Sequence, residues 1–167
     1  MWDDWESKHG CLRKCGAILN GYRRTFNKAS TKNRGTENAP CPTLNLEKIA
    51  AGACRGLAFS FPEERSHDVL DYLGKREGAG FQLELLTVCL EDDSEVQAYL
   101  PVYRGKNLIS GALAEKASMV RNARGTESSG EDYVRKIAAL LAKLGIDDPA
   151  VTKLWNEVQR QNSETNK

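Results

Sequence analysis

The apolar residues of this 167-residue chain change their spacing once, near Gly105. Before that point they fall in short runs at strand period; after it they recur every three or four residues, as on helices. A chain that spends its strands first and its helices last does not alternate as a parallel βαβ sheet must. The predicted class is therefore α+β.

Residues 1–12 are polar and aromatic, which suits a loop or a short helical turn. Cys15 to Phe26 reads as a strand with Gly21 as a candidate bulge. Residues 27–42 hold Asn, Lys, Ser, Thr, Gly and two prolines, and are expected to form a long exposed loop. Thr43–Leu46 and Gly52–Phe61 read as two separate strands. Pro62-Glu63-Glu64 then signals a helix start, Val69, Leu70 and Leu73 give that helix an apolar face, and Gly74 and Gly78 mark its end. Phe81–Leu90 and Glu95–Tyr103, joined by Glu91-Asp92-Asp93-Ser94, form the clearest hairpin, with Tyr99 expected in the core. Three helices follow: one marked by Leu113, Ala117 and Val120, one by Tyr133, Ile137, Leu140, Leu141 and Leu144, and one opened by Asp148-Pro149. One domain is expected over residues 1–158, with 159–167 as a polar tail that frays.

Composition removes several function classes. A net charge of +1 supplies no broad field for nucleic acid or an anionic membrane. No apolar run approaches the ~18–20 residues of a membrane span, and the acidic, aromatic N-terminus is not a signal peptide. Five cysteines without framework spacing read as reduced thiols of a cytoplasmic protein. His9, Cys11 and Cys15 lie close together, but their spacing is not that of a zinc knuckle, so no metal site is expected. Phosphate-loop, dinucleotide and nucleophile-elbow motifs are missing, and neither histidine has a nucleophile beside it in a motif. Arg23, Arg24, Lys28, Lys32 and Arg34 form a basic cluster that reads as a solvated edge before it reads as a nucleic-acid surface.

One series of motifs carries more. Gly21-Tyr22-Arg23-Arg24-Thr25-Phe26 is followed by Ser30-Thr31, by Asn33-Arg34-Gly35-Thr36-Glu37 and by Pro40, leading to Thr43-Leu44. Gly56-Leu57-Ala58-Phe59 precedes a helix that ends Tyr72-Leu73-Gly74-Lys75-Arg76-Glu77-Gly78-Ala79-Gly80-Phe81. This succession resembles the ChaC branch of the γ-glutamylcyclotransferase family. There a GWxRxF…S…RGTxxxPG stretch leads to GxAF, and a YLxxRE…GY helix end carries the catalytic glutamate. Asp132-Tyr133-Val134 and Leu144-Gly145-Ile146-Asp147-Asp148 match the family's closing helices in order and spacing. The resemblance implies a small mixed, partly closed β-barrel or sheet with helices packed on it.

It also implies a reaction. The α-amine of a γ-glutamyl group attacks its own γ-carbonyl, giving 5-oxoproline and a released amine, which is Cys-Gly when the substrate is glutathione. The substrate supplies the nucleophile, so no cofactor is called for. Glu77 falls in the catalytic carboxylate position, where one acid can take a proton from the amine and return it to the leaving nitrogen. Arg34 falls where a guanidinium can hold a substrate carboxylate. Ser30 and Tyr22 fall near the ligand pocket, and Gly78 and Gly80 are small enough for a substrate backbone to approach. Each residue also has a purely structural explanation: a solvated helix-end acid for Glu77, a solvated loop arginine for Arg34, packing for the rest. The implied partner is a small γ-glutamyl molecule, glutathione or a related peptide or amine, rather than nucleic acid or a membrane, with a homodimer open to it.

Some positions depart from the pattern. Met1-Trp2 falls where the family has just completed its first strand and a YGSL turn, so the chain is expected to lack that strand and its backbone donors. A non-catalytic relic that binds a small ligand is the alternative to an active enzyme. Phe81 stands in place of the family's tyrosine, and Leu108 falls near another. Glu127-Ser128-Ser129-Gly130 replaces a Ser-Gly-Arg-Asn run.

Overall fold

The strand-period half of the chain forms four strands and the helix-period half three helices, as the change of spacing requires. A computed structural model describes residues 5–165; the Met1-Trp2 pair and the end of the polar tail lie outside them. A short helix α1 (Trp5–Lys8) precedes strands β1 (Arg13–Ser30) and β2 (Cys41–Ser60). A 3-10 turn (Glu63–Arg65) leads into α2 (Ser66–Glu77), then the hairpin β3 (Phe81–Leu90) and β4 (Glu95–Tyr103). Helices α3 (Leu113–Asn122), α4 (Gly130–Lys143) and α5 (Pro149–Thr165) close the chain. The sheet runs in the order β2-β1-β3-β4, antiparallel between β1 and β3 and between β3 and β4. This is an α+β architecture. Of the described residues, those up to Arg23 together with Leu46–Lys106 make one compact unit, and Arg24–Asn45 together with those from Asn107 onward make a second.

β1 and β2 are longer than their composition suggests. Residues 27–30, expected in a loop, are strand, because residues past the hairpin supply their partners. The Ala29 N–H donates to the Asn107 carbonyl at 2.8 Å, and the Ile109 N–H to that of Asn27 at 2.7 Å. The two strands expected over 43–46 and 52–61 are one continuous β2. Backbone pairing, which every residue but proline can make, overrides the polar side chains here.

Gly21 carries the bulge, with φ of +77°, a backbone region that disfavours other residues. Its effect is visible in what is buried. Leu19 and Tyr22 stand an odd number of residues apart and would face opposite sides of a regular strand. Both nevertheless enter the same cluster with Cys54 and Val88. The partner strand accommodates the distortion with Gly52, where an added Cβ would lie 2.6 Å from the Tyr22 carbonyl oxygen.

The second unit has its own core. Ala117, Val120 and Ala123 from α3 and its end, Val134, Ile137 and Leu141 from α4, and Val151, Leu154 and Val158 from α5 pack with Phe26 and Cys41. Asp148 caps α5, accepting from the N–H groups of Ala150 (3.1 Å) and Val151 (3.2 Å). Its other oxygen pairs with Arg24 of β1 at 2.8 Å, with both side chains largely buried. The stretch from Gln159 does not fray at once: α5 continues to Thr165, and Gln161 is 9% exposed. The apolar stripe ends at Val158, but Gln161, Asn162 and Thr165 extend the same face with hydrogen bonds to α3. The Gln161 amide donates to the Ala114 carbonyl (2.9 Å), and Arg121 donates to Asn162 (2.6 Å) and Thr165 (2.8 Å).

Tyr99, expected in the core, is half exposed. Ala98 and Leu100 pack on the first unit's cluster, so the alternation of β4 turns Tyr99 outward opposite Leu85. At the hairpin turn, the Asp92 carboxylate accepts from the hydroxyl (2.5 Å) and N–H (3.1 Å) of Ser94 and pairs with Arg13 at 3.2 Å. These bonds, the Ser94 hydroxyl first, hold its pKa down at about 2.

Two expectations follow from these contacts. Gly52→Ala forces the Tyr22 backbone aside and should cost about 1–3 kcal/mol in a denaturant titration; an unchanged midpoint would contradict the close approach of Gly52 to the Tyr22 carbonyl. Asp92 should titrate by NMR with a midpoint about 2, and Ser94→Ala should move it up towards 3.8. Because the folded pKa is the depressed one, the turn's contribution is complete above the ordinary carboxylate range and is lost as pH falls from about 4 towards 2.

Candidate active site

Glu77 is the last residue of α2, and three local features determine where it stands. Pro62 and the 3-10 turn start the helix, and Val69 is its one fully buried residue. Tyr72 stacks on the buried Trp5 at 5.7 Å with an interplanar angle of 17°, and Phe59 and Phe61 each lie 5.5 Å from the same indole. Gly78 ends the helix with φ of +78°, its N–H returning to the Gly74 carbonyl at 3.2 Å. In the last turn Lys75 pairs with Asp71 at 2.6 Å, and the Arg76 guanidinium lies over the Tyr72 ring. Glu77 is half-buried, and no atom comes within 4 Å of where a side chain at Gly78 would stand. An open position thus adjoins the carboxylate-bearing residue.

Gly80 is a different case. A Cβ there would lie 2.6 Å from the ring of Tyr103, which also fills the side-chain position of Gly105 and meets Phe81 edge-on at 5.2 Å. The missing side chain at Gly80 makes room for Tyr103. Tyr22 is 8% exposed and lies in the sheet's core cluster. Beside this region Arg104 grips Glu84 with two hydrogen bonds, 2.7 and 3.0 Å. Glu77, Gly78, Gly80 and Tyr22 all belong to the first unit.

Arg34 and Ser30 belong to the second unit, and the structure brings them together. The Ser30 hydroxyl accepts from the Arg34 N–H at 3.2 Å, closing the bend after β1. The Arg34 guanidinium donates to the Ser128 hydroxyl at 3.0 Å, pairs with Glu127 at 3.0 Å and lies 5.4 Å from the centre of the Tyr133 ring. Its side chain is 19% exposed. The segment facing it is fixed through backbone: Thr126 donates to the Lys32 carbonyl, and Glu127 and Ser128 both donate to that of Asn33. The Tyr133 hydroxyl accepts from the Leu44 N–H at 3.1 Å, which holds the ring against β2. Beneath this cluster burial pushes the Cys41 thiol up to about 12, so it is no thiolate at neutral pH.

The profile of the ChaC-like proteins matches residues 5–161. The chain belongs to this family. Among its relatives, Gamma-glutamylcyclotransferase 2-3 of Arabidopsis thaliana is 31% identical over 159 residues, covering 89% of this chain and 80% of the plant protein. The Glutathione-specific gamma-glutamylcyclotransferase of Escherichia coli is 27% identical over 138 residues, covering 83% of this chain and 52% of the bacterial one. A crystal structure of a yeast γ-glutamyl cyclotransferase specific to glutathione superposes with a TM-score of 0.80 at 18% identity, covering 90% of this chain and 89% of that one. That likeness is one of fold. The chain is thus a γ-glutamylcyclotransferase-like member of an enzyme family.

Within this ChaC-like protein, sequence reasoning missed the residues that position others. Trp5 lies in a segment that reads as a loop or a short helical turn and is indeed a short helix, but its burial (4% exposed) and its place behind α2 are not visible in the sequence. Tyr133 was assigned to a helix face without its bond to β2 or its contact with Arg34. A tryptophan amid polar residues and a tyrosine opening an amphipathic helix were the available signals. Gly78→Ala isolates the geometry at Glu77: space is open there, so the cost is conformational, about 1–3 kcal/mol for a residue other than glycine at φ +78° and ψ −172°. If helix-end geometry aims the carboxylate, kcat should fall more than thermal stability accounts for; an unchanged kcat would separate the cap from catalysis.

Proposed function

We propose that this protein is a cytoplasmic cyclotransferase that converts γ-glutamyl compounds, glutathione first among them, to 5-oxoproline and a free amine. The carrying observation is Glu77 itself, a half-buried acid ending a helix beside an open position, within a frame matched by the ChaC-like family. The named activities of the plant and bacterial relatives support the substrate class, and the five free thiols suit a reducing compartment.

The step is an intramolecular aminolysis. The substrate's α-nitrogen forms a bond to the γ-carbonyl carbon, closing a five-membered ring, and the amide bond to the leaving nitrogen breaks. Nucleophile and electrophile belong to one molecule, so much of the entropic cost of bringing them together is already met. The protein must hold the chain folded back and move protons between two nitrogens. In this mechanism Glu77 takes one proton from the ammonium to free the attacking amine, and a second leaves the same nitrogen as the ring closes; both end on the departing nitrogen, which leaves as the ammonium of Cys-Gly when glutathione is the substrate. No external oxidant, reductant or group donor enters the balance. Arg34 and Ser30 are proposed to hold a substrate carboxylate, with Tyr22, Gly78 and Gly80 forming parts of the substrate's surroundings.

Purified protein incubated with glutathione should release 5-oxoproline and Cys-Gly in equal amounts, measured by chromatography. Glu77→Gln, which keeps the size and removes the base, should slow this by roughly 10²- to 10⁴-fold. Wild-type rates in that variant would remove Glu77 from the mechanism. Absence of turnover in the unmodified chain, with retained glutathione-induced stabilisation, would favour a binding module instead.

A further inference from the structure

Arg34 does not stand ready for an incoming anion. Its guanidinium is engaged on one nitrogen by the Ser128 hydroxyl and on another by the Glu127 carboxylate, each at 3.0 Å. The three groups differ in freedom. Arg34 is 19% exposed and braced by the Tyr133 ring, whereas the Glu127 side chain is 53% exposed. The Glu127 backbone is fixed by its N–H bond to the Asn33 carbonyl (3.0 Å), so its carboxylate is tethered within reach of Arg34. An ion pair with one half-exposed member is weakened, because solvent reaches the Glu127 carboxylate and ordering that long side chain costs entropy. It is a carboxylate that can be displaced.

We propose that Glu127 is a specificity-determining residue: its carboxylate occupies the face of Arg34 that a substrate carboxylate would take, and substrate binds by exchanging with it. This rests on the cyclotransferase reading above and adds to it. A tethered competitor present at all times raises the apparent dissociation constant by a factor of one plus the ratio of its occupied to unoccupied states. The chain therefore binds carboxylate-bearing substrates more weakly than Arg34 alone would allow. The cost falls on binding and leaves the proton transfer at Glu77 untouched. Tyr133 and Ser128 are not displaced, because the ring holds the guanidinium from its face and the hydroxyl uses a different nitrogen.

The test is Glu127→Gln, which keeps the length of the side chain and removes the charge. With glutathione as substrate, KM should fall about fivefold while kcat moves less than twofold; Glu127→Asp should stay closer to the unmodified protein. A loop-bracing role for Glu127 would instead lower thermal stability and kcat together. Comparing glutathione with a γ-glutamyl amide that has no second carboxylate identifies the group exchanged. A KM drop for both assigns it to the α-carboxylate, and a drop for glutathione alone to the glycyl carboxylate. Calorimetric titration of glutathione into Glu77→Gln, with and without Glu127→Gln, reads the same exchange without turnover. Tighter binding in the double variant supports the proposal even if Glu77 proves not to be the base. An unchanged or higher KM and dissociation constant overturn it, whatever the activity.

Discussion

The inversion of the backbone at Gly21 governs how β1 serves two cores. A regular 18-residue strand would keep a single parity of inward residues from end to end. With φ of +77° at Gly21, the inward positions shift from Leu19 to Tyr22, Phe26 and Ser30. Tyr22 enters the cluster of the first unit, and Phe26 the helical core of the second. Gly52 on β2 lies against the Tyr22 backbone with no space for a side chain, so Gly21 meets a conformational demand and Gly52, far away in sequence, a steric one beside it. The motif that begins Gly-Tyr-Arg-Arg thus marks a change of face as well as a family signature.

Downstream of that change, one carboxylate organises the second unit. Asp148 caps α5 with one oxygen and holds Arg24 with the other. A buried pair is weak evidence of net stabilisation, but losing one member would strand the other charge at a cost of about 3–5 kcal/mol. Its effect here is to fix register, since the helix can start only where Asp148 meets the strand. The polar end of α5 repeats this strategy on a smaller scale, with Gln161 and Asn162 bonded to residues of α3.

Much of this was legible in the sequence. The hairpin, α2 and the three closing helices follow from period, turn residues and caps, and the bulge from a glycine inside a strand pattern. The failures share a physical cause: each depended on a partner distant in the chain. Residues 27–30 look like loop until residues 107–109 supply their hydrogen bonds. Tyr99 looks buried until the alternation of β4 is anchored by Ala98 and Leu100. The tail looks frayed because hydrophobic period cannot register a face continued by amides and hydroxyls. At the candidate site, Glu77 and Arg34 are proposals that motifs suggest, whereas the Tyr133 and Glu127 contacts to Arg34 carry no signal in the sequence. A single side chain can be matched to a pattern, whereas its neighbours must be seen in space.

The end of α2 shows where local rules give way. Aligned peptide dipoles make the C-terminus of a helix favourable for cations and unfavourable for carboxylates, by about 0.3–1 kcal/mol at exposed ends. Lys75 and Arg76 follow that rule, and Glu77 breaks it in the next position. Replacing Glu77 with a lysine or glutamine would improve the helix end on electrostatic grounds alone. Such violations are expected where a residue is kept for its chemistry. In the mechanism proposed for Glu77, the substrate brings both nucleophile and electrophile, and the protein's main contribution is one such acid, held still. The stacked Trp5–Tyr72 pair behind the helix and the inverted backbone at Gly78 in front of it are two constraints that hold it. The helix gives up some stability at its last residue, and the surrounding aromatic packing makes that loss tolerable.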